Sequence, residues 1–155
     1  MKKYNFISLI FFLLSTFIVS TLTSIVTLSS KEPWYSSLKK PPFNPPDWIF
    51  GPVWTMLYFL MAIAIWNVWI KNFKHINVVF LYFIQLFFNA TWSIIFFVFQ
   101  NILLSVFNLM ILIFLIVILI IKYKHISNLS VIIMIPYLLW CLFAFFLNTS
   151  IWILN

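Results

Sequence analysis

The 155-residue chain has very few charged side chains: nine lysines, two carboxylates and no arginine, which together make up only 7% of the sequence. Soluble globular domains usually carry about 25% charged residues, so this composition excludes an ordinary soluble domain. The net charge of +7 would suggest nucleic-acid binding in a soluble protein, but here the lysines lie between long apolar runs. We therefore predict an integral membrane protein that does not bind nucleic acid.

Residue types that carry catalysis or bind metals are also scarce. Glu32 and Asp47 are the only carboxylates, Cys141 is the only cysteine, and His75 and His125 lie far apart, each beside a lysine. Acid–base mechanisms commonly use paired carboxylates, and metal sites need clusters of histidine, cysteine or carboxylate ligands. The sequence therefore predicts no metal site, no cofactor and no intramolecular disulfide, and gives little support to a proton relay or a catalytic triad.

Long apolar runs fill most of the chain, of which 65% is hydrophobic and 22% aromatic. A membrane-spanning helix needs roughly 20 mostly apolar residues. The polar break at Gln100-Asn101 is short, but one helix across it would be about twice the length that a bilayer requires, so we predict a tight turn there. The fold class is all-α, with 1–155 forming a single membrane domain of five transmembrane helices at about 5–28, 48–70, 76–99, 102–121 and 129–153.

The lysines predict how the helices are oriented. The amino-terminal apolar run imitates a secretory signal, but it is longer than the usual core of about 7 to 15 residues, so we predict a retained first helix. Six lysines lie on the side of the amino terminus and three on the other side, and the positive-inside rule then predicts a cytoplasmic amino terminus and an outward-facing first loop. The six on the amino-terminal side are Lys2, Lys3, Lys71, Lys74, Lys122 and Lys124. The three on the other side are Lys31, Lys39 and Lys40.

The first loop, 31–47, is unlike the rest of the chain. Six of the seven prolines and the only glycine lie between Pro33 and Trp54. Proline fixes φ and restricts the residue before it, so the Pro41-Pro42 and Pro45-Pro46 pairs predict a stiff loop rather than a helix or a disordered linker. Two interpretations stay open: a lid over a flat apolar ligand, or an aromatic belt at the membrane interface. The aromatic residues concerned are Trp34, Tyr35, Phe43, Trp48, Phe50 and Trp54.

Three carboxamides, Gln85, Asn89 and Asn148, interrupt otherwise apolar helices. Facing lipid, each would leave polar groups unpaired at a cost of several kcal/mol, so we predict that they point into the bundle. Such amides either tie helices together or line a pocket. Because the helix faces that carry these three amides converge beneath the proline-rich loop, we favour a pocket. Helical spacing places aromatic and small residues on the same faces: Trp54, Tyr58 and Met61; Trp92 and Phe96; Tyr137, Trp140, Ala144 and Ile151.

Two further features concern helix packing. The first helix carries a series of serines and threonines, which we interpret as packing residues: Ser15, Thr16, Ser20, Thr21, Thr23, Ser24 and Thr27. Pro136 is expected to kink the fifth helix or to mark a break near its start.

Several rare residues at fixed spacing resemble the translocator protein family, also called tryptophan-rich sensory proteins or TspO/MBR. In the first loop and second helix these are Trp34-Tyr35, Leu38, Lys40-Pro41, Pro45-Pro46, Trp48, Phe50, Trp54 and Tyr58. Further along they are Gln85-Leu86, Asn89, Trp92-Ser93, Phe96-Phe97, Pro136-Tyr137, Trp140, Ala144 and Leu147-Asn148. The resemblance covers most of the chain from residue 33 onward.

This resemblance implies a five-helix protein of a bacterial plasma membrane, usually a homodimer in contact with lipids, that acts as a receptor or carrier. The implied ligands are porphyrins such as protoporphyrin IX and synthetic benzodiazepine-type molecules, bound in a pocket that the first loop closes. Bacterial members look like regulators of tetrapyrrole metabolism or stress responses. The implied ligand-binding residues are Trp34, Pro45, Trp48, Phe50, Trp54, Tyr58, Asn89, Trp92, Tyr137, Trp140, Ala144 and Asn148.

Other functions stay open at this point. Tryptophans beside a photosensitiser can be oxidised or pass electrons, so Trp54 and Trp140 would be the catalytic residues of a light-dependent porphyrin-degrading enzyme. A structural scaffold or transporter subunit is a third hypothesis.

If the protein is a porphyrin receptor, Lys39 or Lys40 would pair with the propionates of the porphyrin at the outer mouth of the pocket. Animal members carry a sterol-recognition pattern of tyrosine and a basic residue, which is missing after Asn148, so we do not expect sterol binding by that element.

Overall fold

The computed structural model describes residues 2–71 and 75–155, and every regular element in those two ranges is helical. A π-helical turn, Ile94–Val98, directly continues the fourth α-helix. Lys74, which belongs to the predicted second loop, lies outside the described residues. The α-helices are α1 (Lys2–Ser30), α2 (Trp34–Ser37), α3 (Asp47–Lys71), α4 (Ile76–Ser93), α5 (Ile102–Lys124) and α6 (Asn128–Leu154).

Five helices in the described ranges are long and apolar enough to cross a membrane, namely α1, α3, α4 with its π-helical turn, α5 and α6. Among the helices of residues 2–71 and 75–155, only α2, a single turn of four residues inside the first loop, is too short. The all-α fold class with five transmembrane helices is therefore confirmed, and the protein is an integral multi-pass membrane protein. Each helix begins and ends within three residues of the predicted position.

The tight turn between the third and fourth transmembrane helices is also confirmed. Gln100 has a φ of 53°, the left-handed conformation that reverses a chain abruptly. Asn101 then caps α5, because its side-chain oxygen accepts a hydrogen bond from the backbone N–H of Leu104 at 2.9 Å. Two polar residues are thus enough to end one helix and start the next.

The helices pack in a closed ring in the order α1, α3, α6, α5 and α4, and the π-helical turn completes the contact of α4 with α1. The interior is mostly apolar, and Met61, Ile65, Leu112, Ile116 and Cys141 are completely or almost completely buried there. Large apolar side chains cover the outside as well, as expected for a surface that faces lipid. On α1 the exposed ones follow a helical repeat: Phe11, Leu14, Ile18, Leu22 and Ile25.

Proline does not interrupt either helix that contains it. The α6 helix runs through Pro136 and α3 runs through Pro52, so Pro136 does not mark a helix break. Both helices therefore continue far enough to contribute side chains along the full depth of the bundle.

Polar contacts close the end of the bundle opposite the first loop. The Asn67 side-chain amide donates to the hydroxyls of Ser127 (2.6 Å) and Ser130 (2.9 Å), and the Ser130 hydroxyl donates to the carbonyl of Ala64 (2.9 Å). The indole N–H of Trp66 donates to the carbonyl of Asn5 at 2.9 Å. These bonds hold α1, α3 and α6 together at that end.

Candidate functional site

A cavity of about 360 Å³ lies in the half of the bundle next to the first loop, between α1, α3, α6 and the end of α4. Small-molecule sites typically measure roughly 300–1,000 Å³ and combine apolar walls with a few polar groups. Aromatic rings dominate the lining: Tyr35, Trp48, Phe50, Trp54, Tyr58, Trp92, Phe96, Phe97, Trp140 and Phe143.

The aromatic walls of the cavity contain rings in stacked, tilted and edge-on contact. Trp54 and Trp92 have centroids 6.4 Å apart and planes inclined by 32°, and Trp92 stacks on Phe96 at 5.8 Å and 22°. On the other side, Phe50 meets Trp140 edge-on at 6.1 Å. Stacked and edge-on rings of this kind present flat apolar surface. Such surfaces suit a flat, aromatic molecule.

A chain of hydrogen bonds forms the polar floor beneath these rings. The Tyr58 hydroxyl donates to the side-chain oxygen of Asn89, and the amide of Asn89 donates to the Tyr137 hydroxyl at 3.1 Å. The Tyr137 hydroxyl donates in turn to Gln85 at 2.8 Å. All four side chains are buried, which confirms that Gln85 and Asn89 point into the bundle. Asn89 both ties helices together and lines the cavity.

Asn148 combines the same two roles further toward the loop. Its side-chain amide donates to the Ser105 hydroxyl at 2.8 Å and to the carbonyl of Ile102 at 3.3 Å, which joins α6 to α5. Asn148 is only 3% exposed and also lines the cavity. The prediction that this amide points into the bundle is confirmed.

One wall of the cavity consists of hydroxyl groups on α1, on residues whose sequence pattern predicts a role in helix packing. Ser20, Thr23, Ser24 and Thr27 line the cavity. The Thr23 hydroxyl donates to backbone carbonyls of its own helix, at 3.0 Å to Val19 and 2.9 Å to Ser20, which leaves its oxygen able to accept. The spacing of these four residues, i, i+3, i+4 and i+7, is the signal that could have placed them on one face.

The mouth of the cavity holds an ion pair. Lys31 and Asp47 both line the cavity, and the Lys31 ammonium donates to a carboxylate oxygen of Asp47. Tyr35 lies beside them, outside the transmembrane helices, and its burial together with the negative charge of Asp47 raises the pKa of the phenol.

The first half of loop 31–47 packs on the rim of the cavity. Trp34 meets Phe96 edge-on at 5.2 Å, and Tyr35 contacts Phe97 at 5.8 Å, so α2 rests on the π-helical turn. The second half contains a turn in which the N–H of Asn44 donates to the carbonyl of Pro41 at 3.0 Å. A lid function for this loop stays a prediction.

The structure brings nine of the twelve predicted ligand-binding residues to the cavity. These nine are Trp48, Phe50, Trp54, Tyr58, Asn89, Trp92, Trp140, Ala144 and Asn148. Of the other three, Trp34 packs on the rim, Pro45 lies in the loop, and Tyr137 lies below the lining in the polar floor. The predicted catalytic pair, Trp54 and Trp140, both line the cavity. Ligand binding and catalysis by these residues stay predictions.

Comparison with known proteins gives a consistent result. Residues 11–153 match the model of the TspO/MBR family. The chain is 37% identical over 152 residues to the tryptophan-rich protein TspO of Archaeoglobus fulgidus, covering 97% of this chain and 99% of the relative. It is 30% identical to the tryptophan-rich sensory protein of Cereibacter sphaeroides, covering 83% and 80%. It is 32% identical to the human translocator protein, covering 77% and 73%. The chain belongs to the TspO/MBR family.

Proposed function

We propose that the protein is a membrane receptor or sensor that binds porphyrin-like tetrapyrroles, with protoporphyrin IX as the type ligand, in the cavity beneath the first loop. Benzodiazepine-type molecules would occupy the same space. The observation that carries the proposal is the cavity itself, whose lining is rich in aromatic rings and rests on a polar floor. The sensory and translocator proteins among the relatives support the broader role of receptor or sensor.

Binding would use the walls and the floor differently. The tetrapyrrole ring would stack against the indoles of Trp54, Trp92 and Trp140, where apolar burial and ring contact supply most of the affinity. Asn89 and Asn148 would hold polar edges of the ligand. The proline pairs of loop 31–47 would keep the lid in few conformations, so that less entropy is lost when it closes over the ligand.

Orientation and assembly belong to the same proposal. The amino terminus lies in the cytoplasm and loop 31–47 faces outward, following the lysine distribution. The protein resides in a plasma membrane of bacterial type, surrounded by lipid, and forms a homodimer through its exposed apolar faces. We propose no sterol site.

A light-dependent porphyrin-degrading enzyme is the second candidate function. The observation that favours it is that Trp54 and Trp140 both line the cavity, where an excited porphyrin would lie within contact of their indoles. A scaffold or transporter subunit would need no such aromatic cavity.

One spectroscopic experiment separates these functions. Purified protein is mixed with protoporphyrin IX, and the absorbance spectrum is followed in the dark and then under illumination. Binding alone predicts a shifted spectrum that is stable in both conditions. Degradation predicts a progressive loss of the porphyrin bands in the light. An unshifted spectrum throughout would contradict both and favour the scaffold.

A further inference from the structure

The charge at the mouth of the cavity is concentrated in one pair of side chains. Lys31 follows α1 directly, Asp47 is the first residue of α3, and the two are hydrogen-bonded to each other. Over residues 2–71 and 75–155, no other charged side chain lines the cavity. A ligand whose aromatic body lies among the tryptophans would therefore meet this pair with its charged end.

The two partners are unequally buried. The Lys31 side chain is 22% exposed and its ammonium lies 5.1 Å from the centre of the Tyr35 ring, whereas the Asp47 side chain is 54% exposed. The free-energy cost of leaving a charge unpaired rises with its burial. Breaking the ion pair would therefore cost more free energy at Lys31 than at Asp47. Asp47 also occupies the first turn of α3, where the helix dipole favours a negative charge. Asp47 is thus the partner that can leave.

We infer that Lys31 is an anchor for a carboxylate on the ligand, and that Asp47 occupies this position when no ligand is bound. The inference rests on the proposed function, since it concerns the same cavity. Exchanging one carboxylate for another keeps the Lys31 ammonium paired and releases Asp47 toward water. A cationic ligand would instead take Asp47 and leave Lys31 with only the more distant Glu32 carboxylate, 3.9 Å away. The cavity therefore selects flat aromatic acids over basic molecules of the same shape, and over neutral ones by the difference between the ligand carboxylate and Asp47 as partners of Lys31.

The neighbouring charges support Lys31 rather than the lysines expected from the sequence. Glu32 places a carboxylate oxygen 3.9 Å from the Lys31 ammonium, but it accepts a hydrogen bond from Ser36 and does not line the cavity. The Lys40 ammonium lies 4.1 Å from the centre of the Tyr35 ring. Neither Lys39 nor Lys40 lines the cavity, so Lys31 is the cation that a bound acid can reach.

The test compares protoporphyrin IX with its dimethyl ester, which has the same ring but no carboxylate. Both are titrated in the dark into purified protein, and quenching of tryptophan fluorescence gives the affinity. The variants are Lys31→Met, Asp47→Asn and, as a control on the same loop, Lys39→Met. We expect the parent to prefer the acid by about threefold, because the ligand carboxylate replaces Asp47 and only the difference between the two charge-assisted hydrogen bonds is gained.

Each variant has a distinct expected result. Lys31→Met weakens acid binding by about threefold, which removes the preference for the acid, and leaves ester binding unchanged, which also shows that the variant is folded. Asp47→Asn strengthens acid binding several-fold, because the competing carboxylate is gone, and Lys39→Met behaves like the parent.

Other results would overturn the inference. If Lys31→Met keeps the preference for the acid, or weakens both ligands equally, Lys31 is not an anchor although the proposed function stands. If Asp47→Asn weakens acid binding, Asp47 positions Lys31 and does not compete with the ligand. If the parent binds neither the acid nor the ester, the proposed function itself is wrong.

Discussion

The side chain of Asn155 is bonded to both backbone polar groups of Lys39. Its oxygen accepts from the Lys39 N–H at 2.9 Å, and its amide donates to the Lys39 carbonyl at 3.0 Å. The same amide donates to the carbonyl of Ile151 at 2.7 Å, which fixes the side chain to α6. Two residues 116 positions apart thus connect the middle of loop 31–47 to the end of the last helix.

Asn155→Ala should loosen this loop. The variant loses the two exposed hydrogen bonds to Lys39, worth together about 1 kcal/mol, as well as the one to Ile151. The backbone amides of residues 38–40, 43 and 44 should therefore exchange with deuterium roughly fivefold faster. Hydrogen–deuterium exchange followed by mass spectrometry measures this. Ser150→Ala is the control, because that hydroxyl donates within its own helix to the carbonyl of Phe146. Equal exchange in parent and Asn155→Ala would show that the contact does not hold the loop.

Asn89→Leu tests the polar floor. Leucine suits the membrane interior, but it leaves the buried hydroxyls of Tyr58 and Tyr137 without the partner that joins them. We expect a loss of about 1–3 kcal/mol in the free energy of unfolding and weaker porphyrin binding, in a protein that still folds. The control is Asn77→Leu at an exposed position of the same helix. Thermal unfolding and porphyrin titration of both variants give the comparison, and parent-like values for Asn89→Leu would contradict the assigned role.

The helices could be predicted from the sequence because each one depends mainly on its own apolar length. The turn at Gln100-Asn101 followed from bilayer thickness, and the inward direction of Gln85, Asn89 and Asn148 followed from the cost of an amide in lipid. Bilayer thickness and the cost of a lipid-facing amide act on each helix separately, whichever helices are its neighbours.

The features that were missed depend on the order of helices in the ring and on the path of the loop. The hydroxyl face of α1 lines the cavity only because α1 lies between α3 and α4. The pairing of Lys31 with Asp47 depends on how loop 31–47 folds back, which no periodic pattern encodes. The same folding turns Lys40 onto the Tyr35 ring and pairs the Lys39 backbone with Asn155.

Trp54→Phe and Trp140→Phe separate binding from photochemistry. Phenylalanine retains most of the ring surface but removes the indole N–H and its easier oxidation. Porphyrin affinity should therefore stay within about tenfold of the parent, a change of no more than roughly 1.4 kcal/mol. Any light-driven degradation should fall much further. If both variants bind and degrade porphyrin like the parent, the indoles take no chemical part.

Orientation can be tested with reporter fusions. A reporter fused after Asn155 should be extracytoplasmic, and one inserted after Lys74 should be cytoplasmic, because the lysines concentrate on the amino-terminal side. Alkaline phosphatase and a fluorescent protein, active on opposite sides of a bacterial plasma membrane, report the two locations. The reverse pattern would refute the orientation and leave the five-helix fold unchanged.

The central claim is that the porphyrin occupies the cavity, and a cavity-filling variant tests it most directly. Ala144 lines the cavity on α6, whereas Leu139 on the same helix is 60% exposed on the outer surface. In dark titrations with protoporphyrin IX, Ala144→Trp should lower the affinity at least about tenfold, since the added indole takes the space of the ligand. Leu139→Trp, which adds an indole of the same size, should bind like the parent. Equal binding by both variants would place the porphyrin elsewhere and contradict the account.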